Sequence, residues 1–125
     1  MAPPRGDGAR TLVVDDDNLV RSVVRMALER LGHDVTEASE RETAIAASAR
    51  TPFDLVIIDA RMPGLSLSDT LGSIRTALEP RRPAILVISG APVDESVLAE
   101  HEASYLAKPV DLHDLISAAR LALAS

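Results

Sequence analysis

Apolar residues along this chain fall into two alternating patterns. Short β-prone runs occur at Thr11–Val14, Phe53–Ile58 and Ala84–Ile88, with weaker ones at Asp34–Ala38 and Ser104–Ala107. The three strong runs are continuous rather than alternating, as expected of strands buried on both faces. Helical spacing fills the intervals. Val20, Val24, Ala27, Leu28 and Leu31 share one face of a helix that Asp17 or Asn18 could cap and Gly32 would end. Leu67, Leu71, Ile74 and Leu78 form a second stripe, stopped by Pro80. Leu112, Leu115, Ile116, Ala119 and Leu123 form a third behind Asp111 as N-cap. Glu40–Arg50 is an Ala-rich helix ended by Thr51–Pro52, and Val93–His101 is short and weak.

The resulting β-α order, repeated five times, predicts an α/β domain: a doubly wound five-stranded parallel sheet with helices on both faces. Ligands of such sheets sit beyond the C-terminal ends of the strands, where the strand order reverses. The strand ends are therefore the places to look for chemistry.

Composition narrows the classes of function. The chain has 125 residues and 46% hydrophobic residues, enough for one domain with a true core. Cysteine is absent, which excludes disulfides and thiolate metal sites. Tyr105 and Phe53 are the only aromatics, too few for base stacking, and a net charge of −6 is the wrong sign for gripping nucleic acid. No apolar run reaches the length of a membrane span, and MAPPRGDGAR lacks the apolar core of a signal peptide. Residues 1–10 are expected to be a disordered lead-in, residues 11–125 the domain, and the cytoplasm its location.

The first strand ends in Asp15–Asp16–Asp17, the third in Asp59, the fourth in Ser89–Gly90 and the fifth in Lys108–Pro109. If these edges meet, several carboxylates, a hydroxyl and an ammonium share one pocket. Crowded carboxylates repel by about 4 kcal/mol per pair at 4 Å and an effective dielectric near 20. A hard divalent cation with oxygen ligands, Mg²⁺ above all, removes that conflict. The plainer alternative makes each acid a solvated loop residue or a helix cap, which suits Asp17 better than the rest.

Val13–Val14–Asp15–Asp16, Asp54–Leu55–Val56–Ile57–Ile58–Asp59, Met62–Pro63–Gly64, Ile88–Ser89–Gly90 and Lys108–Pro109 together resemble the signature of two-component receiver domains. The resemblance implies a flavodoxin-like, CheY-like fold and a phosphoacceptor switch rather than an enzyme. It implies Asp59 as the residue that takes a phosphoryl group from a histidine kinase or a histidine phosphotransfer protein. Asp16 and Asp59 would ligate Mg²⁺ directly, Asp15 through water, and Arg61 through its backbone carbonyl. Lys108 would pair with Asp59 and then with a phosphoryl oxygen. Ser89 would bond another, and Tyr105 would change rotamer with it. A cis Lys108–Pro109 bond is expected. The downstream partner would be a protein, with no direct nucleic-acid or membrane contact, and a weak homodimer is compatible with the pattern. Either a stand-alone receiver or a piece of a hybrid kinase or larger regulator would carry such a sequence.

Three features depart from the family pattern. Ser66–Leu67 stands where an Asp-Gly pair is usual, though Ser66 can cap the helix that follows, and Val110 replaces a common aromatic. The interval from Ser89 to Lys108 is short, so the fourth helix should be short or distorted, and Gly90–Ser104, anchored by Val97, Leu98 and Ala99, should be the least stable segment. Rival readings are weaker. Asp15 and Asp17 fit the paired acids of haloacid-dehalogenase-type phosphatases, but no strand after Asp59 ends in that family's second acidic pair. A flavin binder of the same fold would meet its phosphate with Asp15–Asp17, and a receiver that never uses its phosphate would not need the full acid set. His33, His101 and His113 are read as surface residues, Arg81–Arg82 as a solvated turn and Met62 as packing. The Arg61 side chain either reaches over the pocket or is solvated.

Overall fold

The computed structural model of the protein describes residues 8–124. Ten elements alternate: β1 (Arg10–Val14), α1 (Asn18–Arg30), β2 (Asp34–Ala38), α2 (Arg41–Arg50), β3 (Leu55–Asp59), α3 (Leu67–Leu78), β4 (Ala84–Ser89), α4 (Glu95–Glu100), β5 (Ala103–Ala107) and α5 (Leu112–Ala124). The strands are all parallel, in the order β2-β1-β3-β4-β5. The strong apolar runs became the three central strands, and every residue of β3 is buried. The weaker runs became the edges, β2 and β5, which keep exposed positions.

Side-chain alternation along the strands builds two cores. Leu12, Val14, Val56, Ile58, Ile85 and Val87 meet Ala44 and Ala47 of α2 and Leu71, Ile74 and Leu78 of α3. Val13, Leu55, Ile57, Leu86 and Ile88 meet Val24, Ala27 and Leu28 of α1 and Leu115, Ala119 and Leu123 of α5. The strand order reverses between β1 and β3, so the C-terminal ends of these two central strands border the crevice.

Helix starts follow the predicted caps. Asp17 accepts from the N–H groups of Leu19 and Val20 at 2.9 and 3.1 Å, Ser66 from Asp69 at 3.0 Å, and Asp111 from His113 at 2.8 Å. Each such cap is worth about 1 kcal/mol. Asp17 is thus a cap, the plainer of its two readings. Before α3, Gly64 takes a left-handed conformation (φ +100°) that glycine adopts at little cost, and Ser66 then starts the helix.

Several expectations need correction. The expected lead-in lies outside the described residues only as far as residue 7. The Gly8 N–H donates to Gly32 O at 2.8 Å, Ala9 is buried, and Arg10 opens β1. β3 begins at Leu55 rather than Phe53. Phe53 is buried in the core, but its N–H closes on Thr51 O at 3.0 Å, which keeps it out of the ladder. Two histidines read as surface residues are buried: His33 Nδ1 lies 2.7 Å from Thr11 Oγ1, and His101 Nε2 lies 3.0 Å from Ser68 Oγ. A buried imidazole is satisfied once a ring nitrogen has a hydroxyl partner. α4 is short, as expected, and buries none of its residues fully. Leu98 of α4 and Val93 just before the helix pack partly buried against the core, while Ala99 is exposed.

Ile57 and Leu71 sit at opposite faces of the sheet with essentially no exposure, whereas Leu121 is 72% exposed on α5. In denaturant titrations Ile57→Ala or Leu71→Ala should therefore cost about 2–5 kcal/mol, and Leu121→Ala should stay within about 0.5 kcal/mol. A Leu121 effect as large as the other two would contradict the two-core packing.

Candidate phosphoacceptor site

The parallel ladder continues one bond past each strand that reaches the crevice. Asp15 N–H donates to Ala38 O (3.1 Å), Ala60 N–H to Ile88 O (2.8 Å) and Lys108 N–H to Ser89 O (2.9 Å). These bonds fix where the chain leaves the sheet. They bring together carboxylates from β1 and β3 and an ammonium from the end of β5.

Asp15, Asp16 and Asp59 each offer a carboxylate oxygen within 4.8 Å of the others. Asp15 and Asp59 are buried and Asp16 is exposed. Lys108 Nζ donates to Asp59 Oδ2 at 3.1 Å and to Asp15 Oδ2 at 3.3 Å. The remaining oxygens face backbone donors: Asp15 Oδ1 accepts from Asp17 N–H at 2.9 Å and Asp59 Oδ1 from Arg61 N–H at 3.1 Å. Burial pushes the Asp15 carboxyl above its ordinary value. The neighbouring Asp59 adds to the rise, while the Asp17 N–H and Lys108 oppose it. Burial alone would lower the Lys108 ammonium, but its hydrogen bond to Asp59 and the field of Asp15 outweigh that and raise it.

Three carboxylates with one ammonium leave an excess of negative charge on hard oxygen donors pointing at one place. That donor set fits a small divalent cation such as Mg²⁺ and suits no soft metal.

Ser89 ends β4 buried, its Oγ accepting from Ala91 N–H at 3.1 Å. Tyr105, on β5, is 40% exposed, and its hydroxyl donates to the carbonyls of Ser89 (3.3 Å) and Ala91 (3.4 Å). The two expected switch residues are therefore linked through the Ser89–Ala91 backbone. Arg61 contributes its N–H to Asp59, and the residue is exposed. The Lys108–Pro109 bond is cis.

Two arginines that sequence reasoning passed over brace the acid loops from behind. Arg21 of α1 donates to the Asp15 carbonyl at 2.7 Å while pairing with Glu37 at 3.0 Å. Arg41, at the first turn of α2, is 1% exposed and donates to the carbonyls of Leu65 (2.6 Å) and Ala60 (2.8 Å), with a longer 3.4 Å contact to that of Asp59. An arginine opening an Ala-rich helix reads as a solvated charge, so no sequence signal marked it.

Comparison with known proteins agrees with this geometry. The response regulator receiver domain family matches residues 11–120. The response regulator FleR of Pseudomonas aeruginosa is 36% identical over 110 residues, covering 86% of this chain but 23% of FleR. Chemotaxis protein CheY-3 of Vibrio cholerae is 32% identical over 104 residues, 80% of each chain. Among solved structures, the receiver domain of a sensor histidine kinase from P. aeruginosa, described with a magnesium ion coordinated in its active-site cleft, is 25% identical with a TM-score of 0.81, covering 94% of this chain and 99% of that one. The chain thus spans about a quarter of FleR, and 49% of the Mycobacterium tuberculosis regulator TcrX.

The crowded charges make opposite demands on Asp15 and Lys108. With its folded pKa raised, ionised Asp15 weakens the fold above that value, and the cost disappears as pH falls through it. Lys108, also raised, contributes stability that is present below its unfolded value of 10.5 and is lost as pH rises through its folded value. Asp15→Asn should raise the metal-free melting temperature near neutral pH by about 2–5 °C, with the advantage shrinking on acidification. A lower melting temperature for this variant at neutral pH would show that the acids are not in conflict.

Proposed function

The chain belongs to the response regulator receiver family, and on that premise we propose that it is the phosphoacceptor of a two-component relay, with Asp59 as the acceptor. The observation that carries the reading is the convergence of Asp15, Asp16, Asp59 and Lys108 at the point where strand order reverses.

Asp59 would attack the phosphorus of a phosphohistidine in line. A carboxylate oxygen–phosphorus bond forms as the nitrogen–phosphorus bond breaks, and the imidazole leaves with its electron pair and takes up a proton. Phosphoryl transfer asks mainly for alignment and charge neutralisation. The Asp17 and Arg61 N–H groups hold the Asp15 and Asp59 carboxylates in place, and Lys108 meets charge arriving on the phosphoryl oxygens. Asp16 and Asp59, with Asp15 through water and the Arg61 carbonyl, would hold Mg²⁺, which supplies further positive charge. The magnesium described in the cleft of the similar kinase receiver supports this reading. Ser89 would then turn toward the phosphoryl group and Tyr105 would follow.

The partner is a histidine kinase or histidine phosphotransfer protein. The exposed apolar residues Leu19, Val23 and Met26 on α1 offer it a surface running from the site. No helix among the described residues is long and apolar enough to cross a membrane, and the cytoplasm is the compartment proposed. The protein acts as a switch rather than as an enzyme on a diffusible substrate, and its output is carried by another protein or by a weak homodimer.

With acetyl phosphate and Mg²⁺, mass spectrometry should find one phosphoryl group per chain, absent in Asp59→Asn and slowed in Lys108→Ala. Uptake that persists in Asp59→Asn would overturn the assignment.

The proposed switch segment is Gly90–Ser104, because α4 buries none of its residues fully. Amide exchange there should be fast in the resting protein and slow with Mg²⁺ and beryllofluoride. Exchange as slow as in β3, or unresponsive to the mimic, would place the switch elsewhere.

A further inference from the structure

Arg41 is an anomaly. Its guanidinium is buried, its hydrogen-bond acceptors among the described residues are backbone carbonyls, and its Nε finds none. A buried guanidinium without a carboxylate partner is costly, and the nearby charges that offset its burial are Asp59 and Glu42. A single peptide group links the Arg41 guanidinium to the Asp59 carboxylate. The carbonyl of the Ala60–Arg61 peptide accepts from Arg41 Nη2 at 2.8 Å, and the N–H of that same peptide donates to Asp59 Oδ1 at 3.1 Å.

Resting on the phosphoacceptor reading above, we propose that Arg41 is a positioning residue for the acceptor: through the Ala60–Arg61 peptide it fixes the Asp59 carboxylate and the backbone of Arg61. The bonds form a chain from guanidinium to carbonyl, then from amide N–H to carboxylate. A cation on the carbonyl side polarises the peptide and strengthens the N–H bond on the far side. This leaves Asp59 Oδ1 held by backbone and Oδ2 held by Lys108, with both oxygens oriented before any phosphodonor arrives. The third donation, to Leu65 O at 2.6 Å, closes the far end of the β3–α3 loop onto the same guanidinium. Residues 60–65 are thereby tied at both ends to one buried cation on α2. Arg21 braces the Asp15 carbonyl, but it pairs with Glu37 and lacks a peptide link to the acceptor.

The test compares wild type with R41K, which keeps the charge but cannot span these carbonyls, and R41M, which keeps volume without charge. Two quantities are read: the acetyl phosphate rate at saturating Mg²⁺ and donor, and the shift and exchange rate of the Arg61 amide in metal-free protein. In each variant that melts cooperatively, the saturated rate should fall about tenfold, with a smaller change in KM, as expected from losing one hydrogen bond to a charged donor. The Arg61 amide should move upfield and exchange faster. A merely structural arginine would lower the melting temperature and leave both readouts alone. An unchanged rate or an unmoved amide in a folded variant overturns the proposal, with wild-type uptake still showing the phosphoacceptor reading sound. Absence of uptake in wild type overturns that reading instead, and the amide arm alone then decides the role of Arg41. If neither variant folds, the Arg41 Nε–H resonance of wild type decides: a shift on adding Mg²⁺ supports the link and a fixed resonance overturns it.

Discussion

Three carboxylates and one ammonium held at a single crevice are the constraint on which the site depends. Two unit charges 4.8 Å apart repel by about 3.5 kcal/mol at an effective dielectric near 20, and Lys108 can offset only part of the total. The sheet resists the separation that these charges favour. Asp15 and Asp59 extend from two paired central strands, and ladder bonds continue through Asp15, Ala60 and Lys108. The apolar packing above and below β1 and β3 therefore keeps the acids where electrostatics alone would not. The surplus negative charge on hard oxygen donors suits the crevice to a divalent cation.

Much of this was legible in the sequence. Continuous apolar runs identified the central strands, because a strand covered on both faces has no polar side to alternate. The strand-end acids and Lys108 converge because parallel strands deliver all their C-terminal ends to one edge. Asp17, Ser66 and Asp111 were readable as caps because capping is a local bond within three residues. The burial of His33 and His101 was not readable, since each depends on a hydroxyl far away in sequence, Thr11 for one and Ser68 for the other. Arg41 was missed for the same reason: its partners are carbonyls of a loop that any sequence could present.

The short fourth helix has a physical counterpart in how it is held. Apolar contact comes from Val93 and Leu98, and polar bonds do the rest. Arg75 of α3 donates twice to the His101 carbonyl and once to that of Pro83, while the His101 ring meets Ser68. Gly72 of α3 faces that ring, and a Cβ there would lie in ordinary contact 3.8 Å from His101 Cε1. At the other end, the Tyr105 hydroxyl reaches over the start of the segment to the carbonyls of Ser89 and Ala91. The segment that carries α4 is thus held by a few polar bonds near its ends more than by packing along its length.

The proposed Mg²⁺ site among the crowded carboxylates is tested most directly by thermal melting across a Mg²⁺ titration. A ligand at 100 times its dissociation constant stabilises a fold by about 2.7 kcal/mol. A rise of several degrees that saturates at millimolar Mg²⁺ and shrinks in Asp16→Asn is expected. A melting temperature that stays flat through the whole titration would contradict it.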